Sequence, residues 1–140
     1  MQRFFSIFYA LVLLTFLVGC GSGHVSLKGK VTFSDNDEPL TQGTVAFVKD
    51  GRLSRGEIQS DGTYTVGTEK VSDGLPPGNY QVYISGTSKA IPVGEHGSFN
   101  YEPQIDPKYE YPETSGLTVT VDASTKEYNI QVDRVASGRR

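Results

Sequence analysis

The chain has 140 residues and a formal net charge of -3, room for one domain beside any leader and no basic footprint of the kind nucleic-acid binding needs. Its single cysteine excludes an internal disulfide and any cysteine-based zinc site, since each needs at least two thiolates. Eight tyrosines and seven phenylalanines suit a sheet core built by packing alone, and sixteen glycines with seven prolines promise frequent turns.

Residues 1 to 20 divide into three parts. Arg3 is a minimal positive region, Phe4 to Val18 is apolar apart from Ser6 and Thr15, and Gly19-Cys20 is a small-residue processing point. An apolar run of about fifteen residues is short of the roughly 20 that cross a bilayer as a helix, so a signal peptide is the expectation. Leu17, Val18, Gly19 and Cys20 resemble the lipobox of bacterial lipoproteins. That resemblance implies a diacylglyceryl group on the Cys20 thiol, cleavage before it and acylation of the new amine. A plain secretory signal or an uncleaved anchor helix is the alternative. Each buried CH₂ contributes about 0.8 kcal/mol, so one acyl chain holds weakly and two or more hold firmly. Gly21, where some lipoproteins carry Asp, resembles the signal for export to an outer membrane. The expected address is therefore the cell envelope, anchored by lipid and, where two membranes exist, on the outer one, facing the periplasm or the cell surface.

Gly21 to Gly23 reads as a flexible tether. Alternation then begins: Val25, Leu27, Val31 and Phe33 fall on one face and Ser26, Lys28, Lys30 and Thr32 on the other. Gly29 falls on the inward side, where it marks a bulge or a close backbone approach. A polar turn from Asp35 to Glu38 closes on Pro39-Leu40. Gly43 to Val48 is a second strand, Lys49 to Leu53 a loop, and Arg55 to Ser60 a third strand. Asp61-Gly62 is the strongest hairpin signal, expected as a type I′ turn. Thr63 to Gly67 returns with Tyr64 and Val66 inward, and Leu75-Pro76-Pro77-Gly78 steers the chain into a fifth strand, Asn79 to Ser85.

Gly86 to Ser115 carries four prolines and reads as one long irregular segment, a length usually functional or disordered. Alternation resumes at Leu117, Val119 and Val121, and again at Tyr128, Ile130 and Val132. Seven short strands with half-polar faces and no helical periodicity beyond the leader predict an all-β, seven-stranded antiparallel β-sandwich. The expected division is 1–19 signal peptide, 20–24 lipidated cysteine and tether, 25–135 sandwich, and 136–140 frayed tail.

The order Leu27-Lys28-Gly29-Lys30-Val31, Pro39-Leu40, Gly43-Thr44-Val45-Ala46-Phe47, Ser60-Asp61-Gly62-Thr63-Tyr64 and Leu75-Pro76-Pro77-Gly78-Asn79-Tyr80 resembles carboxypeptidase regulatory-like domains. Those are transthyretin-like (prealbumin-like) Greek-key sandwiches. The motifs cover about residues 24 to 85, and the strand count extends the likeness to 134. With the lipobox, the chain is similar to small bacterial lipoproteins built from one such domain, whose segment before the last hairpin also resembles Ile105, Lys108-Tyr109 and Thr114 to Leu117. The resemblance implies a structural, binding or accessory module. No peptidase is expected, because no His-Glu metal motif is present and His24 and His96 lie in a tether and a loop.

A related sandwich enzyme that hydrolyses 5-hydroxyisourate ends in Tyr-Arg-Gly-Ser, whereas this chain ends Ala136 to Arg140 without that motif. Related adhesins join a first-strand lysine to a last-strand asparagine, but the phase of Lys28, Lys30 and Asn129 turns all three to solvent. Asp35, Asp37 and Glu38 lack the glycine and distal glutamate of an EF-type calcium loop and read as a solvated turn. His24 and His96 read as surface histidines, with no metal expected. Tyr101, Tyr109 and Tyr111, with Phe99 and His96, form either an aromatic binding surface or a cover over the sandwich edge, the latter preferred. The expectation is a non-enzymatic module without cofactor, held to a membrane through Cys20, with an envelope protein or glycan as partner. The alternative is glycan or peptide binding by residues 86–115.

Overall fold

The computed structural model describes residues 23–136. The expected signal peptide, Cys20 with the lipobox-like residues before it, the first two residues of the expected tether and the tail from 137 onward lie outside the described residues.

The described chain is all-β, as expected. Three strands, β1 (Lys28–Phe33), β4 (Thr63–Thr65) and β9 (Ile130–Val132), form one sheet in the order β4-β1-β9. A second sheet has the order β3-β2-β5-β8, from β2 (Thr44–Lys49), β3 (Arg52–Glu57), β5 (Gly78–Ser85) and β8 (Leu117–Val121). Strands β6 (Lys89–Val93) and β7 (Ser98–Glu102) pair only with each other. The two larger sheets share one core, to which alternate residues contribute: Leu27, Val31 and Phe33 from the first strand region, Val45 and Phe47 from β2, and Tyr80, Val82 and Ile84 from β5 are all buried. Phe47 is its centre, with the rings of Tyr64, Tyr80 and Tyr128 at 6.2, 6.3 and 6.3 Å.

Four expectations need correction. The sandwich is not wholly antiparallel, because β1 and β9 run parallel, Val31 opposite Ile130 and Phe33 opposite Val132. The chain enters β9 from the turn after β8, at the same end where it enters β1, so the last strand has no choice of direction. The expected loop Lys49 to Leu53 is a two-residue turn, so β3 begins at Arg52 and ends at Glu57, earlier than expected. The type I′ geometry belongs to that turn, since Asp50 and Gly51 both have positive φ (49° and 74°). At Asp61-Gly62 only Gly62 does; Gln59 N–H donates to Thr63 O and Gly62 N–H to Gln59 O, a longer connection that leads from one sheet into the other. Finally, the segment Gly86 to Ser115 is not irregular: it holds the β6–β7 ribbon and a 3-10 turn at Pro107–Glu110.

Two ends of the sandwich can be told apart. Val25 is bridged to Leu75, just before β5 begins, while β5 ends beside the start of β2, with Ser85 opposite Thr44. Eight residues of β5 separate these ends by about 25 Å at roughly 3.3 Å per residue. The described chain therefore starts at one end, and the ribbon leaves β5 at the other.

Candidate functional site

The three tyrosines expected to form one surface are separated. Tyr109 is buried at 6% exposure on the 3-10 turn and belongs to the core, whereas Tyr101 and Tyr111 are 72% and 61% exposed. Asp106 caps the 3-10 turn by accepting the Lys108 backbone N–H, and Pro107 starts it with a pre-set φ, so Tyr109 is delivered inward over the sandwich end. Its hydroxyl donates to Asp133 Oδ2 (3.0 Å).

Asp133 is the hub of this end. Lys108 Nζ reaches the same oxygen at 2.6 Å, and the Ser34 hydroxyl donates to the other at 2.7 Å. Lys108 and then the two hydroxyls hold the Asp133 carboxyl down at about 2, and Asp133 in return pushes Lys108 up to about 12. This ion pair ties the 3-10 turn to the end of β9. Arg134 closes the neighbouring turn: its guanidinium lies 3.6 Å over the Phe33 ring and binds Asp35 (2.9 Å) and Glu38 (2.7 Å). The acidic turn thus holds the last strand to the first.

At the opposite end, the Asp73 carboxylate accepts the backbone N–H groups of Thr68 (2.6 Å), Glu69 (3.2 Å) and Lys70 (3.1 Å), which lower its pKa and shape the loop. His24 is partly buried beside it, Nδ1 3.9 Å from Asp73 Oδ2, and so is not the wholly solvated tether residue expected. His96 is exposed in the ribbon turn. Lys28, Lys30 and Asn129 are exposed as their phase requires, and the Asn129 amide is engaged by Lys30 N–H and Glu127. Among the described residues no group of three or more His, Cys, Asp or Glu is placed to hold a metal ion. No helix among them is long and apolar enough to cross a membrane. An open groove of about 550 Å³ runs between β3 and β4, lined by polar chains such as Arg55, Gln59, Thr63 and Lys70.

The exposed chemistry is concentrated in the ribbon. All ten of its strand residues are exposed. Ala90 lies opposite Tyr101 and Pro92 opposite Phe99, so cross-strand pairing puts both aromatic rings on one face. Phe99 is 53% exposed. The sequence does carry the signal for these strands, in the alternation of Ile91 and Val93 and of Phe99 and Tyr101, but Pro92 disguises it. Proline is compatible with a strand that has a free edge.

These sheets define a β-sandwich-like domain. No family model matches the chain, and no curated protein matches it. Among solved structures it is similar to a DUF3823 family protein from Bacteroides ovatus, with 18% identity, a TM-score of 0.45, and coverage of 79% of this chain and 45% of that one. It is also similar to BcpA, the major pilin subunit of Bacillus cereus, with 11% identity, a TM-score of 0.45, and coverage of 80% and 30%. The chain thus spans less than half the length of either structure, and the class rests on the strand pairing described above.

Proposed function

We propose that this protein is a lipoprotein, anchored to a membrane of the cell envelope through Cys20, whose transthyretin-like sandwich is a non-catalytic structural or protein-interaction module. The observation that carries the reading is the Leu17-Val18-Gly19-Cys20 sequence, separated from His24 by three residues. The pairing of Val25 with Leu75 supports it from the domain side, since the folded body begins at once after the tether. Five residues of chain reach at most about 17 Å, so a lipid on Cys20 would hold the sandwich close to the bilayer. The order β4-β1-β9 and β3-β2-β5-β8 is compatible with the Greek-key sandwich of the carboxypeptidase regulatory-like family.

Metabolic labelling with a palmitate analogue tests the anchor. The wild type should take up label and fractionate with membranes, and Cys20→Ala should do neither. Label retained by Cys20→Ala would overturn the assignment.

A second reading, that residues 86–115 bind a glycan or peptide, is favoured by the exposed aromatic face of the ribbon. It no longer includes Tyr109, which the core occupies.

A further inference from the structure

The ribbon is a two-stranded sheet, and among the described residues no third strand lies on either side. An isolated pair of strands is only marginally stable in water, and its unpaired N–H and C=O groups are a template for another strand. Its base has a definite position: Gln42 donates to Ser88 O from the sandwich, and Gln104 to Thr87 O between the two legs of the ribbon. That position is the end farthest from His24.

Charge follows the same axis. At the His24 end, segments 23–28, 49–53, 67–78 and 121–127 carry five cations and five carboxylates. At the ribbon end, segments 34–42, 59–62, 86–116 and 133–134 carry ten carboxylates against Lys89, Lys108 and Arg134. Two of those three cations are already bridged, Lys108 to Asp133 and Arg134 to Asp35 and Glu38. Glu95, Glu102 and Glu113 are exposed, with Glu102 on the ribbon face opposite to Phe99 and Tyr101. A pole of one sign attracts the opposite sign and repels its own, so a second copy of this end, a nucleic acid or an anionic lipid surface is disfavoured.

We propose that the ribbon docks an extended, lysine- or arginine-rich polypeptide segment, which adds as a third strand along β7. This deepens the interaction-module reading above and rests on it. Pro92 makes β6 a poor template, whereas β7 contains no proline. Backbone pairing gives such a segment its grip, and alternate side chains point to each face of the ribbon. On one face they meet Phe99 and Tyr101, whose rings attract ammonium and guanidinium groups. The net negative charge of this end steers the approach.

The test uses the full chain in nonionic detergent and two fluorescent peptides, one alternating lysine and valine, the other glutamate and valine. Fluorescence anisotropy should show binding of the lysine peptide in preference to the glutamate peptide, weakening as salt is raised. Phe99→Ala with Tyr101→Ala should reduce that affinity about tenfold, with the melting temperature unchanged because both rings are exposed. Charge reversal by Glu95→Lys, Glu102→Lys and Glu113→Lys brings this end close to neutrality and should abolish the preference. Equal binding of both peptides, binding of neither, or indifference to the aromatic pair would overturn the proposal. So would concentration-dependent self-association abolished by that pair, which would assign the ribbon to a second copy. Palmitate labelling at Cys20 is independent of all these outcomes, so loss of the partner assignment and loss of the anchor are read separately.

Discussion

Gly29 lies directly beneath the carbonyl of Tyr128. A Cβ at this position would clash with that oxygen and stand 2.7 Å from the Tyr64 hydroxyl. Tyr64 sits opposite Gly29 on β4, and its hydroxyl passes over the glycine to donate to the same Tyr128 carbonyl. The absent side chain therefore makes room for a link from β4 across β1 to the segment that leads into β9. Burial pushes the Tyr64 phenol well above its ordinary value, with Tyr128 and Glu127 adding to it, so the donor stays protonated.

Gly29→Ala should cost about 3 kcal/mol, the upper range for forcing extra volume into a packed site, because two of its neighbours are backbone atoms that cannot swing aside. Urea denaturation checks this. An unchanged midpoint would mean that the sheet closes without the contact.

Among the tyrosines, position in the fold should decide the effect. Tyr109→Ala empties a core site and should lower stability by about 3 kcal/mol or more. Tyr101→Ala and Tyr111→Ala, both exposed, should stay within about 0.5 kcal/mol. Equal losses in thermal unfolding of all three variants would contradict the separation of these residues.

Acid should act partly through Asp133. Its carboxyl is held below its unfolded value of 3.8, at about 2, so its contribution to stability is present above 3.8 and lost as pH falls toward 2. Asp133→Asn should flatten the acid limb of a stability-against-pH curve over that window. A curve that keeps its full steepness there would assign the acid dependence to other carboxylates.

The legible part of the fold was the part with strict alternation. Val25 to Phe33, Tyr80 to Ile84 and Ile130 with Val132 bury their apolar faces as their period demands. The β6–β7 ribbon was hidden because Pro92 reads as a breaker; only pairing with Phe99, seven residues on, shows that a free edge tolerates it. The misread turn has a similar origin. Asp50-Gly51 and Asp61-Gly62 are the same dipeptide, and their local chemistry permits positive φ at both. Which one becomes a tight hairpin depends on the next strand: Arg52 pairs back within the same sheet, whereas Thr63 joins the other sheet.

The candidate site divides along the same line. The resemblance of Leu17 to Cys20 to a lipobox is carried by linear sequence, so the proposed anchor is drawn without any fold. Tyr101, Tyr109 and Tyr111 cannot be sorted that way, since an exposed ring and a core ring have the same local composition. Composition and period alone determined an all-β domain with its main inward faces, and either a bulge or a close approach at Gly29, because side-chain alternation is a property of a single strand. Only the tertiary structure decided that β9 runs parallel to β1, that Tyr109 is core, and that carboxylates gather at the ribbon end. Strand direction, burial and charge distribution each depend on which distant segments meet, and that is settled when the two sheets pack.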